Sequence, residues 1–282
     1  MIIVTGATGQ LGRAVVERLL DRLPAGEIGV SVRDPQKVRD LEERGVAVRR
    51  GDFADPSSLT DAFAGATQVL IVSGPAESEP HRAAIEAAKE VHAKRILYTS
   101  HMGANLRSPF QPMRAHAETE QDLQASGIPF TSLRNGFYAT SAIQIMGGAL
   151  HTGRLAVPED GPVSWTAHAD LAEAAAIALT REGLLDGITP PLTGPQALDF
   201  ADIARIASEL TGRKITRVTA SDEEWKAGLV SRGVPEASAT MLLGMFAASR
   251  QGEFAAVDPA LAGLLGHQPT AFRDVLAATL PA

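Results

Sequence analysis

The first residues with a chemical signature form a glycine-rich turn in the opening stretch MIIVTGATGQLG. Gly6, Gly9 and Gly12 are spaced G-x-x-G-x-x-G, after a short apolar run and before a stretch with helical spacing. Gly6 allows a turn that a Cβ atom would obstruct, Gly9 lets the backbone approach a pyrophosphate, and Gly12 lets the helix pack closely on the strand. Free N–H groups and the dipole at the helix start favour phosphate charge. The pattern predicts dinucleotide binding; the alternative is a tight turn in a fold that has lost its cofactor.

The choice of nicotinamide cofactor depends on the residues about 20 positions after the glycines, where a ribose-binding acid is expected. That place holds Arg33, with Lys37 one helical turn later. A guanidinium can hold the oxygens of a 2′-phosphate in two parallel hydrogen bonds, which favours NADP(H) over NAD(H). Asp34 is the competing ribose ligand, but the proline after it makes it a better helix cap. Lys37 has a simpler alternative, a solvated helix charge.

Two further strand ends carry candidate cofactor contacts. Asp52 and Phe53 end the third predicted strand, where an aspartate can accept from the adenine amine and a phenyl ring can flank the base. Their alternative is a turn aspartate and a core phenylalanine. Ser73, Gly74 and Pro75 end the fourth strand, where small residues let the nicotinamide ribose sit close.

The elements that must position these residues alternate strictly through the first half of the chain. Short β-branched runs are separated by stretches with helical spacing, the pattern of a parallel sheet covered on both faces. Right-handed crossovers then give a Rossmann-type doubly wound α/β fold with its ligand crevice at the carboxyl ends of the strands. The strand-like runs are IIVT, IGVSV, VAVRR, VLIVS, RILYTS and FTSLR.

Helix starts have their own signals. Asp34, Asp55 and Asp258 each precede a proline suited to the first helical position. Ser221 and Glu224 have the spacing of a capping box. These pairs predict where helices begin.

After residue 136 the alternation breaks down, which predicts a smaller, mostly helical lobe over the crevice. We expect residues 1–136 and 163–195 to form the nucleotide-binding domain, and residues 137–162 and 196–282 the substrate lobe. In this division, the stretch VSWTAHADLAEAAAIALT returns to the main sheet.

Composition narrows the classes of function. The formal charge of −7 gives no basic surface for nucleic acid or anionic lipid. The absence of cysteine excludes disulfides and thiolate chemistry, and fits a reducing cytoplasm. No apolar run approaches the roughly 20 residues of a membrane span, and the early first strand leaves no room for a signal peptide. The seven histidines show no metal-ligand spacing, so no metal is expected.

Several motifs together resemble a known family. TGATGQLG, VRDPQK, GDFADPSSL, YTS, HAETE and LRNGFY follow the order seen in the NmrA-like, atypical branch of the short-chain dehydrogenase/reductases. The sequence is most similar to the bacterial NAD(P)H:quinone oxidoreductases, and next to the triphenylmethane dye reductases. The resemblance implies an NADPH-binding Rossmann domain, a small substrate lobe and planar, quinone-like acceptors.

The resemblance also implies roles for particular positions. The pyrophosphate and the 2′-phosphate would contact Gly6, Thr8, Gly9, Gln10, Leu11 and Arg33. The nicotinamide side would be bordered by Ser73, Gly74 and Pro75, with Asn135, Phe137 and Tyr138 lining the pocket that faces it and His116 nearby.

Ordinary members of the wider superfamily use a Tyr-x-x-x-Lys pair to protonate a carbonyl, and this sequence has none. The fourth residues after Tyr98 and Tyr138 are Met102 and Ala142. Related NmrA-like reductases have a lysine or histidine at the position of His116, which therefore becomes the candidate acid. Loss of the tyrosine acid argues against ketone chemistry, whereas a quinone accepts hydride into a delocalised oxyanion that depends little on concerted protonation.

Each candidate catalytic or substrate residue has a structural alternative. His116 can donate to the developing oxyanion or relay protons, or be a solvated histidine paired with Glu120. Tyr138 can reach substrate or be a core tyrosine, and Tyr98 is interpreted as a core residue. Asn135 can touch substrate or brace the turn, and His101 can face the crevice or lie on its rim.

Three functions fit this sequence. The leading hypothesis is an NADPH-dependent reductase of quinones or similar planar aromatic acceptors. The second is a non-catalytic redox sensor that binds the dinucleotide and acts through a protein partner. The third is a tailoring reductase for aromatic polyketides. A homodimer is possible in each case.

Overall fold

The structure, a computed structural model, describes residues 1–74 and 77–280 of the chain. Its strands are β1 (Ile2–Thr5), β2 (Ile28–Val32), β3 (Ala47–Arg50), β4 (Gln68–Ile71), β5 (Arg95–His101), β6 (Phe130–Asn135), β7 (Phe137–Tyr138), β8 (Arg154–Val157), β9 (Val163–Thr166), β10 (Gly187–Ile188), β11 (Ala197–Leu198) and β12 (Thr216–Thr219). Its helices are α1 (Gln10–Leu20), α2 (Arg39–Glu43), α3 (Pro56–Phe63), α4 (Glu79–Glu90), α5 (Gln111–Ser126), α6 (Ala139–Met146), α7 (Ala149–Thr152), α8 (His168–Thr180), α9 (Phe200–Thr211), α10 (Asp222–Ser231), α11 (Glu236–Arg250), α12 (Ala260–Leu265) and α13 (Phe272–Ala277).

The main sheet is parallel throughout the described residues and has the order β10-β6-β5-β4-β1-β2-β3. One face packs against α1, α2 and α8, and the other against α3, α4 and α5. Alternate residues of β1 pack on opposite faces of the sheet: Val4 packs with the first group of helices and Ile3 with the second. The strands read as continuous apolar runs because both of their faces are buried. The predicted doubly wound fold is confirmed.

The strand order reverses between β1 and β4, which are hydrogen-bonded neighbours. The chain leaves β1 towards β2 and leaves β4 towards β5, so the connections diverge at this point. A doubly wound sheet has its ligand crevice here, outside the carboxyl ends of the strands. The glycine turn after β1 and Ser73 after β4 therefore lie at the same crevice.

A second apolar core belongs to the later part of the chain. It contains residues of α6, α9, α11 and α13 together with a three-stranded sheet, β11-β9-β7, and a two-stranded sheet, β12-β8. We expected residues 163–180 to return to the main sheet, and the structure shows that only part of this stretch does so. Strand β9 pairs with β7 and β11, and only α8 returns, packing against α1. The reason is Trp165, which is fully buried in this second core and donates its indole N–H to the Leu198 carbonyl at 3.0 Å.

The helix starts predicted at Asp34, Asp55 and Ser221 are present, whereas α12 begins one residue later than predicted, with Pro259 as its N-cap and Asp258 accepting from the Ala260 amide. The Asp34 side chain accepts from the Gln36 amide at the start of a short 3-10 turn, and Asp55 accepts from the Ser58 amide at the start of α3. Ser221 and Glu224 form the complete capping box of α10. No helix among the described residues is both long and apolar enough to cross a membrane.

Candidate active site

The glycine turn has the geometry that its spacing predicted. Gly6 adopts a φ of 65°, in the left-handed region that favours glycine, and its carbonyl accepts from the Gly9 amide at 2.9 Å. A Cβ atom on Gly12 would lie 2.4 Å from the Gly6 carbonyl oxygen, closer than any side chain tolerates. Gly9 is the N-cap of α1 and has no side chain to bond the first amides of the helix. These amides are therefore free to bind an anion.

A groove of about 670 Å³ opens beside this turn, along the carboxyl ends of β1, β2, β3 and β4. Most of the residues predicted to bind the cofactor line it: Gly6, Thr8, Gly9, Gln10, Leu11, Gly12, Arg33, Asp52, Phe53, Ser73 and Gly74. Pro75 lies outside the described residues. The groove therefore joins strand ends that are far apart in sequence.

The two cations predicted at the second strand differ in position. Arg33 follows β2 directly, is exposed, and lines the groove. Lys37 is exposed in the 3-10 turn and is not among the residues that line the groove. Asp34 caps that turn, as the following proline predicted. The geometry thus favours Arg33 as the cofactor ligand.

Asp52 and Phe53 line the groove and also have structural contacts. The Asp52 carboxylate accepts from the Ala54 amide at 3.1 Å, as a turn aspartate does. The Phe53 ring lies 6.1 Å from the His81 ring in an edge-on arrangement. The structural alternative therefore has support, and contact of these side chains with an adenine stays a prediction that their place at the groove allows.

A chain of hydrogen-bonded polar side chains runs from Gly74, at the edge of the groove, into the protein. The Tyr98 hydroxyl lies 2.7 Å from His116 Nδ1 and 3.5 Å from His81 Nδ1. His81 Nδ1 also lies 3.1 Å from Thr119 Oγ1, and His81 Nε2 accepts from the Gly74 amide at 3.4 Å. Tyr98 is a buried core residue, as predicted, but its hydroxyl is part of this chain.

Burial keeps the imidazoles of this region neutral. It lowers the pKa of His81 to about 4. The pKa of His116 lies well below its ordinary value because of burial, with smaller effects from His101 and His81. Both rings are therefore uncharged at neutral pH.

The expected pairing of His116 with Glu120 is wrong. Glu120 is almost fully buried and forms a bidentate ion pair with Arg134, at 2.7 and 3.0 Å. Its carboxylate also accepts from Ser100 and Ser132, at 2.8 and 2.9 Å. The two strand ends of β5 and β6 supply these partners, so Glu120 braces the sheet beneath the crevice.

His101 is half-buried and packs against aromatic rings. Its ring centroid lies 5.0 Å from Phe137, 5.4 Å from Phe254 and 6.0 Å from His116, whose ring is nearly parallel. Burial lowers the pKa of His101 to about 3. Nδ1 accepts from the Gly103 amide at 3.1 Å, and the buried Nε2 has no partner within the described part of the chain. An unpartnered buried polar atom points to a missing ligand.

Asn135 and Tyr138 lie at the same strand end. Asn135 is buried beside His101 in the β5–β6 register, and its Oδ1 has no partner among residues 1–74 and 77–280. Burial raises the pKa of Tyr138 to about 12, against the opposing effect of the Asn135 side chain. The Tyr138 ring lies 4.2 Å from the ring of His168, which also lines the groove. Sequence reasoning missed His168, because its only local signal is a position at the start of a helix.

A second cleft, of about 1000 Å³, lies in the later part of the chain. Phe110, Phe137, Trp225 and Met245 contribute to its apolar lining. Successive residues of a strand point to opposite sides, and the two residues of β7 line different cavities. Phe137 lines the cleft, whereas Tyr138 lines the groove. Strand β7 is therefore the wall that the two cavities share.

Comparison with known proteins agrees with this geometry. A family model described as NAD(P)H-binding matches residues 6–182. Quinone oxidoreductase 2 of Escherichia coli is 34% identical over 97% of this chain and 96% of its own length. The crystal structure of that enzyme with NADPH has a TM-score of 0.92, with 99% of each chain covered.

Two further relatives are similar over nearly their full lengths. NAD(P)H azoreductase of Xenophilus azovorans is 31% identical over 97% of this chain and 96% of its own. The structure of Citrobacter triphenylmethane reductase with NADP(H) is 34% identical, with a TM-score of 0.91 and coverage of 99% of this chain and 100% of that one. The chain therefore belongs to the NAD(P)H-binding family, as its resemblance to the NmrA-like reductases predicted.

Proposed function

We propose that this protein is an NADPH-dependent reductase that transfers hydride to quinones or similar planar aromatic acceptors. The observation that carries the proposal is the position of β7 between two cavities. Tyr138 lines the nucleotide groove, and Phe137, the next residue, lines the apolar cleft. A dinucleotide in the groove and a flat acceptor in the cleft would meet at this strand.

The residues of the groove fit a phosphorylated dinucleotide. The Gly6 turn and the uncapped amides of α1 fit the pyrophosphate, and a Cβ atom at Gly12 would destroy the turn. Arg33 would hold the 2′-phosphate, since it lines the groove and a guanidinium can bind two phosphate oxygens at once. Bound NADPH supplies the hydride. The other tasks, orientation of the acceptor and stabilisation of its oxyanion, belong to the chain.

The acceptor class is supported by the relatives and by the lining of the cleft. The relatives are named for quinones, azo compounds and triphenylmethanes. Aromatic side chains such as Phe110, Phe137 and Trp225 can stack on or edge against a flat ring. Such packing orients an acceptor, which is a large part of catalysis when the reaction itself needs little covalent assistance.

We assign stabilisation of the developing oxyanion to the neutral imidazoles of His101 and His116, which reach the cleft residue Phe137 through the His101 ring, 5.0 Å away. His116 and His101 are stacked, and burial disfavours a positive charge on either ring. A neutral imidazole N–H can donate a hydrogen bond to the oxygen of a reduced quinone. The Asn135 amide and the Tyr138 hydroxyl are further groups at the same strand end, and we assign them to orienting the acceptor.

The experiment is a steady-state assay that follows the absorbance of reduced nicotinamide with a quinone, an azo dye and a triphenylmethane dye. We expect turnover with at least one acceptor and a lower KM for NADPH than for NADH. H116A should lower kcat about tenfold, less than the roughly hundredfold typical of a general acid, because a quinone stabilises its own oxyanion. H116Q should retain part of the activity, since its amide offers an N–H near the position of Nε2. H151A removes an exposed imidazole and is the control.

Two results would contradict the proposal. The absence of turnover with every acceptor class would argue against a reductase. If NADPH and NADP⁺ then bound with very different affinities, the non-catalytic sensor would be the better assignment. An unchanged kcat in H116A would remove His116 from the reaction.

Other expectations from sequence stay proposals. These are the division into residues 1–136 with 163–195 and residues 137–162 with 196–282, the cytoplasmic location and the homodimer. A tailoring role in aromatic polyketide biosynthesis also remains a hypothesis, which product analysis would test.

A further inference from the structure

We propose that Tyr98 and His81 are positioning residues that hold His116 in a single tautomer, with its proton on Nε2. The inference deepens the proposed function, because it explains how a neutral imidazole presents a donor to the acceptor. It follows from the direction of each hydrogen bond in the buried chain that begins at Gly74.

The direction is set at the cofactor side of the crevice. The Gly74 amide can only donate, and it faces His81 Nε2 at 3.4 Å. His81 Nε2 is therefore the acceptor nitrogen of a neutral ring, and the proton of His81 is on Nδ1. His81 is only 1% exposed, so no bulk water competes for this assignment.

The proton on His81 Nδ1 determines what Tyr98 does. Nδ1–H faces Thr119 Oγ1 at 3.1 Å and the Tyr98 oxygen at 3.5 Å. Thr119 uses its own proton on the Ala115 carbonyl at 2.8 Å, so its oxygen is free to accept from His81. The single proton on Nδ1 is nearer to Thr119 than to Tyr98, and a protonated Nδ1 cannot accept from either hydroxyl. Tyr98 must give its hydroxyl proton to another group.

That group is His116. The Tyr98 hydroxyl donates to His116 Nδ1 at 2.7 Å, the shortest link of the chain. Since Nδ1 accepts, the proton of the neutral His116 ring is on Nε2, the nitrogen on the far side from the Tyr98 contact. The Tyr98 contact is the one hydrogen bond of the His116 side chain within the part of the chain that the structure describes.

His101 independently adopts the same tautomer. Its Nδ1 accepts from the Gly103 amide, which places its proton on the buried, unpartnered Nε2. The stacked rings of His101 and His116 thus offer two N–H donors of the same kind, 6.0 Å apart between ring centres. Such a pair suits the oxygen of a reduced aromatic acceptor.

The hydroxyl of a fully buried tyrosine costs free energy to desolvate unless it forms hydrogen bonds. Tyr98 is 0% exposed in the middle of the sheet, where phenylalanine would fill the same space without a polar atom. The hydroxyl connects the loop at Gly74, which borders the nucleotide groove, to the candidate acid. The tautomer of His116 is therefore fixed from the cofactor side of the site.

The direct test is NMR of the protein labelled with ¹⁵N-histidine, without any acceptor. We expect His116 in the wild-type protein to show an unprotonated Nδ1 and a protonated Nε2. In Y98F, Nδ1 loses its donor, so its nitrogen shift should move and the ring signals should broaden. A protonated Nδ1 in the wild-type protein would overturn the proposal, whether or not Y98F folds.

Kinetics give a second readout with a matched control. Y98F should lower kcat about tenfold through misorientation of His116 and leave the KM for NADPH unchanged. S100A removes another buried hydroxyl from β5, one that bonds Glu120 and no histidine, and should keep kcat near wild type. Equal losses in both variants, or no loss in Y98F, would overturn the role of Tyr98. If the wild-type protein reduces no acceptor, the proposed function fails, and the NMR result still decides the tautomer.

Discussion

At the scale of single residues, side chains of the same type differ in function according to whether they line the groove. Arg33 and Lys37 are both exposed cations in one short segment, yet only Arg33 lines the nucleotide groove. Similarly, His101 and His116 are neutral because aromatic and apolar groups surround them, whereas an exposed histidine titrates near its ordinary pKa. Local environment decides the chemistry of each group.

R33A tests the proposed 2′-phosphate ligand. We expect the KM for NADPH to rise about tenfold to a hundredfold, because hydrogen bonds to a charged group contribute roughly 1.5–3 kcal/mol. The KM for NADH, which has no 2′-phosphate, should stay nearly constant. K37A is the control and should change neither value appreciably. Equal increases for the two cofactors in R33A would show that the guanidinium does not contact the 2′-phosphate.

At the scale of elements, the first strand, its turn and its helix act as one unit. The carbonyl of Gly6 accepts from Gly9, and the backbone of Gly12 passes so close to Gly6 that no side chain fits. The start of α1 is thereby held against the end of β1, with its first amides directed to the crevice. This contact requires glycine at both Gly6 and Gly12, and the spacing of these two glycines in the sequence therefore predicts it.

G12A tests this close approach. A Cβ atom 2.4 Å from the Gly6 carbonyl must displace the helix, so we expect a loss of about 1–3 kcal/mol in unfolding free energy and weaker NADPH binding. Chemical denaturation and calorimetry measure the two effects. G26A is the matched control, because a Cβ there meets nothing within 4 Å. Wild-type stability and NADPH affinity in G12A would contradict the role assigned to the turn.

At the scale of the whole molecule, β7 is where the two apolar cores approach the same site. Tyr138 packs against the core of the main sheet and Phe137 against the second core. The cofactor groove and the aromatic cleft are thus built by different parts of the chain and meet at adjacent residues. Under the proposed function, the residues that contact the acceptor can therefore change without change in those that contact the cofactor.

F137L tests this separation. Loss of an aromatic contact of roughly 0.5–1.5 kcal/mol should raise the KM for a quinone about two- to tenfold and leave the KM for NADPH unchanged. F130L, at the start of β6 and outside both cavities, is the control and should have wild-type kinetics. A parallel increase in the two KM values of F137L would show that the cavities are not independent.

Much of the fold is predictable because its signals are local. The caps at Asp34, Asp55 and Ser221 follow from neighbouring residues, and the glycine turn follows from spacing over a single strand–helix unit. The alternation of strands and helices then gives the parallel sheet. The candidate site was predicted in outline for the same reason, since strand ends of a parallel sheet converge.

The details of the site depend on contacts between distant residues, which sequence spacing does not encode. Glu120 is one helical turn from His116, and the sequence suggested a pair; instead, Arg134 on a different strand takes the carboxylate. Strand β9 joins the small sheet because Trp165 is buried in the second core. The hydrogen bond between the Tyr98 hydroxyl and His116 could not be predicted from the sequence for the same reason.

The sequence by itself determined the nucleotide turn, the parallel sheet and the absence of a Tyr-x-x-x-Lys pair, because each is a matter of residue type and short spacing. Only the tertiary structure decided the partners of His116, the aromatic packing of His101 and the meeting of groove and cleft at β7. These depend on which surfaces are excluded from water when helices and strands pack, and that is a property of the folded chain as a whole.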